Sequence, residues 1–127
     1  MKKNILIVDD SPTLRASVNF VLSGSGYNVI QAENGEDGLK KLEEVRANKQ
    51  RINLIVSDIN MPKMNGLEFL QAVKESKSFS RFIPVIILTT EREATLKQKG
   101  REYGAAGWMT KPFKPDVLLS VVKKFIR

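Results

Sequence analysis

Two apolar runs that end in acid constrain this chain more than any other feature. Leu54-Ile55-Val56-Ser57-Asp58 is followed by Ile59-Asn60-Met61-Pro62, and Asn4-Ile5-Leu6-Ile7-Val8 by Asp9-Asp10. A short, nearly unbroken aliphatic run reads as a buried strand. A carboxylate at its end is lifted out of the core onto a loop. Two buried strands that end in acid imply an acidic pocket at one edge of a sheet. Such a pocket needs a cation, and a cation beside a carboxylate is a setting for phosphoryl chemistry.

The strand signal recurs. Strands are expected at about residues 4–9, 27–32, 53–58, 85–89 and 107–110, with helical segments between and after them. Ser11-Pro12 is a helix-start signal, a cap-type residue followed by Pro. Leu14, Val18, Val21 and Leu22 then fall on one helical face, and Gly24 and Gly26 punctuate its end. Leu39, Leu42 and Val45 repeat at helical spacing, as do Leu67, Leu70 and Val73. The last helix carries the clearest stripe, Val117, Leu118, Val121, Val122 and Phe125. Residues 93–103 are the weak segment, with Ala94, Leu96 and Tyr103 among polar residues. A helix so poorly amphipathic is marginally packed or keeps a face free for a partner.

Strands alternating with helices imply an α/β fold, a parallel sheet covered on both faces. In such sheets the ligand site lies outside the carboxyl ends of the strands. That rule collects Asp9 and Asp10 from the first strand, Asp58 from the third, Thr89 and Thr90 from the fourth and Lys111 from the fifth. Each alone has a plainer explanation. Asp at a strand end is often a turn residue or helix cap, Thr89 a β-branched strand residue, Lys111 a solvated cation. Met61, Met64 and Met109 read as packing. Convergence on one rim favours function.

Composition narrows the chemistry. The 127 residues suit one domain, with no linker, repeat or low-complexity stretch, and the 42% hydrophobic content argues for a globular fold. The chain has no Cys and no His, which removes disulfides, thiol chemistry and imidazole sites. No apolar run approaches membrane-spanning length and no signal-peptide core precedes the first strand, so a cytoplasmic location without membrane contact is expected. The net charge of +7 invites a nucleic-acid reading. The cations are spread along the chain without an aromatic-interleaved stripe, however, and an acidic protein partner is the better use of them.

Three close carboxylates repel, and Mg²⁺ relieves that while keeping several waters. Asp58 is then a nucleophile toward a phosphoryl donor, with the metal and Lys111 offsetting charge on the phosphoryl oxygens and Thr89 donating a hydroxyl hydrogen bond. Asp9-Asp10, Asp58 with Asn60-Met61-Pro62 and Gly66, Thr89 and Lys111-Pro112-Phe113 together resemble the receiver domain of two-component response regulators. The resemblance covers essentially the whole chain. It implies a flavodoxin-like doubly wound sheet of five strands in the order 2-1-3-4-5 with five helices. It implies Mg²⁺ held by Asp10 directly, Asp9 largely through water, Asp58 and the main-chain carbonyl of Asn60. It implies Asp58 as phosphoacceptor, Thr89 and Lys111 as phosphoryl-sensing groups and a cis peptide at Lys111-Pro112.

Further expectations follow from the resemblance. Trp108 stands where the family has a switching aromatic, mostly Tyr or Phe, that swings inward as Thr89 moves. Asn60 and Glu91 occupy positions that help set phosphoryl lifetime. Residues 1–127 are read as a single receiver domain with no output domain, phosphorylated by a sensor histidine kinase and not an enzyme beyond self-phosphorylation and autodephosphorylation. The resemblance narrows to chemotaxis-type regulators, with Arg92, Lys97 and Lys123 near a face suited to an acidic target such as a flagellar-switch peptide. The alternatives are a receiver-like scaffold that is never phosphorylated and a fragment of a larger transcriptional regulator. A haloacid-dehalogenase-type phosphatase needs an acid two residues after its Asp, which Asn60 is not. A flavodoxin-like cofactor binder would have its phosphate repelled by Asp9-Asp10.

Overall fold

The computed structural model describes residues 2–127. Strands β1 (Asn4–Val8), β2 (Asn28–Ala32), β3 (Leu54–Ser57), β4 (Val85–Thr89) and β5 (Gly107–Thr110) alternate with helices α1 (Pro12–Gly24), α2 (Gly35–Ala47), α3 (Gly66–Glu75), α4 (Ala94–Glu102) and α5 (Pro115–Phe125). All pairings are parallel and the strand order is β2-β1-β3-β4-β5, the expected doubly wound arrangement.

The continuous apolar runs serve both faces of the sheet, because successive side chains point to opposite sides. Leu6, Val8, Ile55, Val85 and Ile87 pack with Phe69, Leu70 and Val73 of α3 and Leu42 and Val45 of α2. Ile5, Ile7, Leu54, Val56, Ile86 and Leu88 pack with Val18 and Leu22 of α1 and Leu118 and Val122 of α5. At about 25 cal/mol per Å², burial of these side chains is the main force holding the layers together.

Helix starts are written locally. The Ser11 hydroxyl accepts the Leu14 N–H at 3.2 Å ahead of Pro12. Asn34 caps α2 by accepting the Asp37 N–H at 2.9 Å. Asn65 and Glu68 form a reciprocal capping box on α3.

Some boundaries differ from expectation. β1 and β3 stop at Val8 and Ser57, so Asp9 and Asp58 lie just beyond them. Their amides still extend the ladder, Asp9 N–H to the Ala32 carbonyl at 3.1 Å and Asp58 N–H to that of Val8 at 2.9 Å. β2 and β3 begin one residue later than expected, at Asn28 and Leu54. Val117 is 44% exposed and leaves the expected α5 stripe. It sits about 100° round the helix from Leu118, on the solvent side. A 3₁₀ turn at Phe79–Phe82, with no apolar periodicity to announce it, precedes β4. The weak segment does form α4, with no side-chain cap and only Gly100 buried.

Candidate functional site

Register brings the site together. Val8 of β1 pairs with Ser57 of β3, so the residues that follow, Asp9 and Asp58, emerge side by side. Thr89 of β4 pairs with Thr110 of β5, so Lys111 emerges next to Thr89. Asp9, Asp10 and Asp58 present carboxylate oxygens that all lie within 4.8 Å of one another. Lys111 Nζ bridges two of them, donating to Asp9 Oδ2 at 2.8 Å and to Asp58 Oδ2 at 2.8 Å. Asp9 and Asp58 are buried, whereas Asp10 is exposed at the mouth.

Backbone donors fix the two buried carboxylates. Asp9 Oδ1 accepts the Ser11 N–H at 2.9 Å, and Asp58 Oδ1 accepts the Ile59 N–H at 2.6 Å. Arg15 donates to the Asp9 carbonyl, and the buried Ser57 hydroxyl to the Asp58 carbonyl at 2.9 Å. Sequence reasoning missed Ser11, Arg15 and Ser57; only the Ser11 cap signal pointed near this role. Burial pushes the Asp9 carboxyl above its usual value, against the opposing pull of Lys111 and the Ser11 amide. Burial pulls Lys111 down, but its hydrogen bonds to Asp58 and Asp9 outweigh that and raise it above an ordinary lysine. Lys111 is therefore a firm cation.

Gly66 sets the close approach of the loop after β3. A Cβ there would lie 1.9 Å from the Asp58 carbonyl oxygen and 2.7 Å from Ile59 Cα. The Gly66 N–H donates to the Ile59 carbonyl at 2.8 Å, tying the start of α3 to the acid loop.

The remaining expected residues are placed less uniformly. Thr89 is fully buried, but its hydroxyl accepts the Glu91 N–H at 3.2 Å and is not hydrogen-bonded to Asp58 or Lys111. Glu91 turns its carboxylate to the Glu93 N–H at 3.2 Å, within the loop that leads to α4. Asn60 is exposed two residues beyond Asp58, and among the described residues no hydrogen bond claims its carbonyl. Trp108 is half-buried on the α4 side of the sheet, where its ring fills the space that Gly100 leaves open. Among the described residues its buried indole N–H finds no hydrogen-bond partner. The Lys111-Pro112 peptide is cis, as the resemblance implied.

The donor set fits a hard divalent cation. Three carboxylates face one ammonium, and one of them is already pushed toward its neutral form by burial. Oxygen donors with an open, solvated side at Asp10 suit Mg²⁺, which keeps much of its water.

Residues 5–123 match the response regulator receiver domain family, and the chain belongs to it. It is thus a receiver domain of two-component signalling. Receivers as a class interact with sensor histidine kinases and hold Mg²⁺ at an acidic pocket. Among solved structures, the chain is similar to the chemotaxis protein CheY4 of Vibrio cholerae. That similarity is 40% identity, covering 99% of this chain and 100% of the other, with a TM-score of 0.88. It is 36% identical over 118 residues to Protein PilH of Pseudomonas aeruginosa, covering 93% of each. It is 37% identical over 127 residues to the alkaline phosphatase synthesis transcriptional regulatory protein PhoP of Bacillus subtilis, covering 100% of this chain and 50% of that protein. The chain spans about half the length of the first curated relatives it matches. Among the described residues no helix is long and apolar enough to cross a membrane.

Proposed function

We propose that Asp58 accepts a phosphoryl group from the phosphohistidine of a sensor kinase and that the domain then signals by binding a protein target. The observation that carries this reading is Lys111 Nζ held at 2.8 Å from both Asp58 and Asp9, with Asp10 alongside. In the transfer, an Asp58 carboxylate oxygen forms the new O–P bond as the histidine N–P bond breaks, and the imidazole leaves with the nitrogen electron pair. Asp10, Asp58, the Asn60 carbonyl and Asp9 are the residues that would hold Mg²⁺, which when bound neutralises charge on the phosphoryl oxygens. Lys111 exchanges one carboxylate partner for a phosphoryl oxygen. Thr89 gives up its contact with the Glu91 amide and turns its hydroxyl toward the new group. Trp108, with its indole N–H unpaired, follows as the reporting aromatic. Asn60 and Glu91 border the path of the water that removes the phosphoryl group and so set its lifetime.

On this reading residues 1–127 act in the cytoplasm as one receiver unit, without turnover of an external substrate. Its output is direct protein binding of the chemotaxis or flagellar-motor kind. Coverage of nearly the whole of CheY4 and of PilH supports that output. The half-length match to transcriptional regulators favours a second reading, in which the unit is the receiver part of a longer regulator.

Intact mass after incubation with acetyl phosphate tests the chemistry. The expected outcome is a Mg²⁺-dependent gain of one phosphoryl group in wild type and none in Asp58→Asn. No gain under any condition would leave a scaffold that keeps the fold without the reaction.

A further inference from the structure

We propose that the end of the sheet opposite the Asp58 pocket is a docking surface for an acidic protein segment carrying one bulky apolar anchor. The proposal rests on none of the phosphoryl chemistry. The 3₁₀ turn Phe79–Phe82 lies at the amino ends of β3 and β4 and holds Phe79 and Phe82 in solvent, 53% and 52% exposed. The rings meet edge to face with centroids 5.6 Å apart. Arg51 lies over Phe79 at 5.0 Å and Arg81 over Phe82 at 4.6 Å. Two adjacent exposed aromatics, each carrying a guanidinium, make a patch that is both apolar and cationic.

The patch borders a hollow of about 280 Å³ between α2 and the turn, lined by Leu42, Ile52, Ile83 and Phe79 with Arg51 at its rim. That is too small for a typical cofactor and suits one large side chain. Next to it a shallower hollow of about 710 Å³ carries Lys2, Lys3, Lys49 and Arg51. Among the described residues no Asp or Glu lines either hollow. Among the described residues none of Lys2, Lys3, Lys49, Arg51 and Arg81 forms a salt bridge. Lys49 holds φ of 58°, a left-handed position that favours Gly.

Charge complementarity makes the occupant acidic. The concave apolar hollow makes it a chain that inserts a side chain, as a protein anchor does. A bilayer would need a convex wedge, and a nucleic acid would need a run of open stacking faces, whereas here a guanidinium lies over each ring.

The test titrates ¹⁵N-labelled residues 1–127 with a short synthetic peptide of Asp and Glu around a single central Phe. Saturable binding is expected, with amide shifts concentrated at Arg51, Ile52, Phe79 and Ile83. Replacing the peptide's Phe by Ser, or combining Arg51→Glu with Arg81→Glu, should weaken binding about tenfold or more. Lys49→Gly, which relaxes the backbone, should weaken binding while raising the urea midpoint, separating lost contact from lost fold. Shifts clustered elsewhere, unchanged affinity in the double variant, equal binding of the Ser peptide, or preferential binding to phosphatidylserine vesicles would each overturn the proposal.

Discussion

At the scale of single residues, Gly66 and Asp9 show geometry and burial working in opposite senses. Gly to Ala at the start of a helix ordinarily gains stability. At Gly66 the added Cβ would meet the Asp58 backbone carbonyl oxygen at 1.9 Å, so the loop must move. Gly66→Ala should therefore cost about 3 kcal/mol or more in urea unfolding, at the upper end of overpacking. It should also slow acetyl phosphate labelling, because the strained residues are Asp58 and Ile59. Asp9 behaves differently. Burial raises its folded-state pKa despite Lys111, so the folded metal-free protein binds this proton more tightly than the unfolded chain. The associated stability is fully present below the unfolded value and is lost as pH rises through the raised folded value. At neutral pH the buried charge is a net cost. Asp9→Asn should then be more stable than wild type in EDTA at pH 7. The gain should shrink as pH falls toward the ordinary carboxylate range. A variant that unfolds earlier than wild type at pH 7 in EDTA would show that the lost Lys111 bond outweighs the relieved desolvation.

At the scale of elements, α4 is the soft part of the sheet's cover. It has no side-chain cap and buries only Gly100, while α3 has a capping box and three large buried side chains. Its amides should exchange fastest among the five helices, and those of α3 and β4 among the slowest. The Gly100–Trp108 contact allows a sharper test. A Cβ at Gly100 would lie 2.9 Å from Cζ3 of the indole and 3.3 Å from Cε3, and a rigid ring cannot bend away. Gly100→Ala should forfeit the ~1 kcal/mol that Ala normally adds to a helix and shift the emission of the sole Trp. Gly24→Ala, with nothing within 4 Å of the new Cβ, is the control expected to gain stability without changing emission. The sequence reveals elements such as β1, β3 and α5 because their periodicity is local. It reveals Asp9, Asp58 and Lys111 as one site because the carboxyl-end rule turns strand ends into neighbours. It could not place the Thr89 hydroxyl on the Glu91 amide, the indole of Trp108 beneath Gly100, or Phe79 in solvent. Those depend on contacts between segments whose spacing no local pattern encodes. The Asn65-Glu68 capping box was legible in principle, since Asn followed three residues later by Glu is a recognised helix start.

At the scale of the whole molecule, the two ends of the sheet carry opposite chemistry. Asp9, Asp10 and Asp58 gather beyond the carboxyl ends, while Lys49, Arg51 and Arg81 gather near the amino ends, so the net charge of +7 conceals a polarised surface. A cation drawn to the acid end must raise global stability by mass action, because the unfolded chain has no such cluster. The gain is about 2.7 kcal/mol when the ion is at 100 times its dissociation constant. Thermal unfolding of EDTA-treated protein should therefore shift upward on adding Mg²⁺ and saturate. Asp10→Asn should remove most of that shift, because Asp10 is the exposed carboxylate with oxygens free for an ion. Arg51→Glu, at the far end, should leave the shift intact, since beyond a Debye length of about 8 Å at physiological salt exposed charges are largely screened. An equal loss of the Mg²⁺ response in both variants would mean that the ion senses the molecule's overall charge and is not held by the carboxylate cluster. The pocket would then lack the metal that the proposed phosphoryl transfer to Asp58 requires.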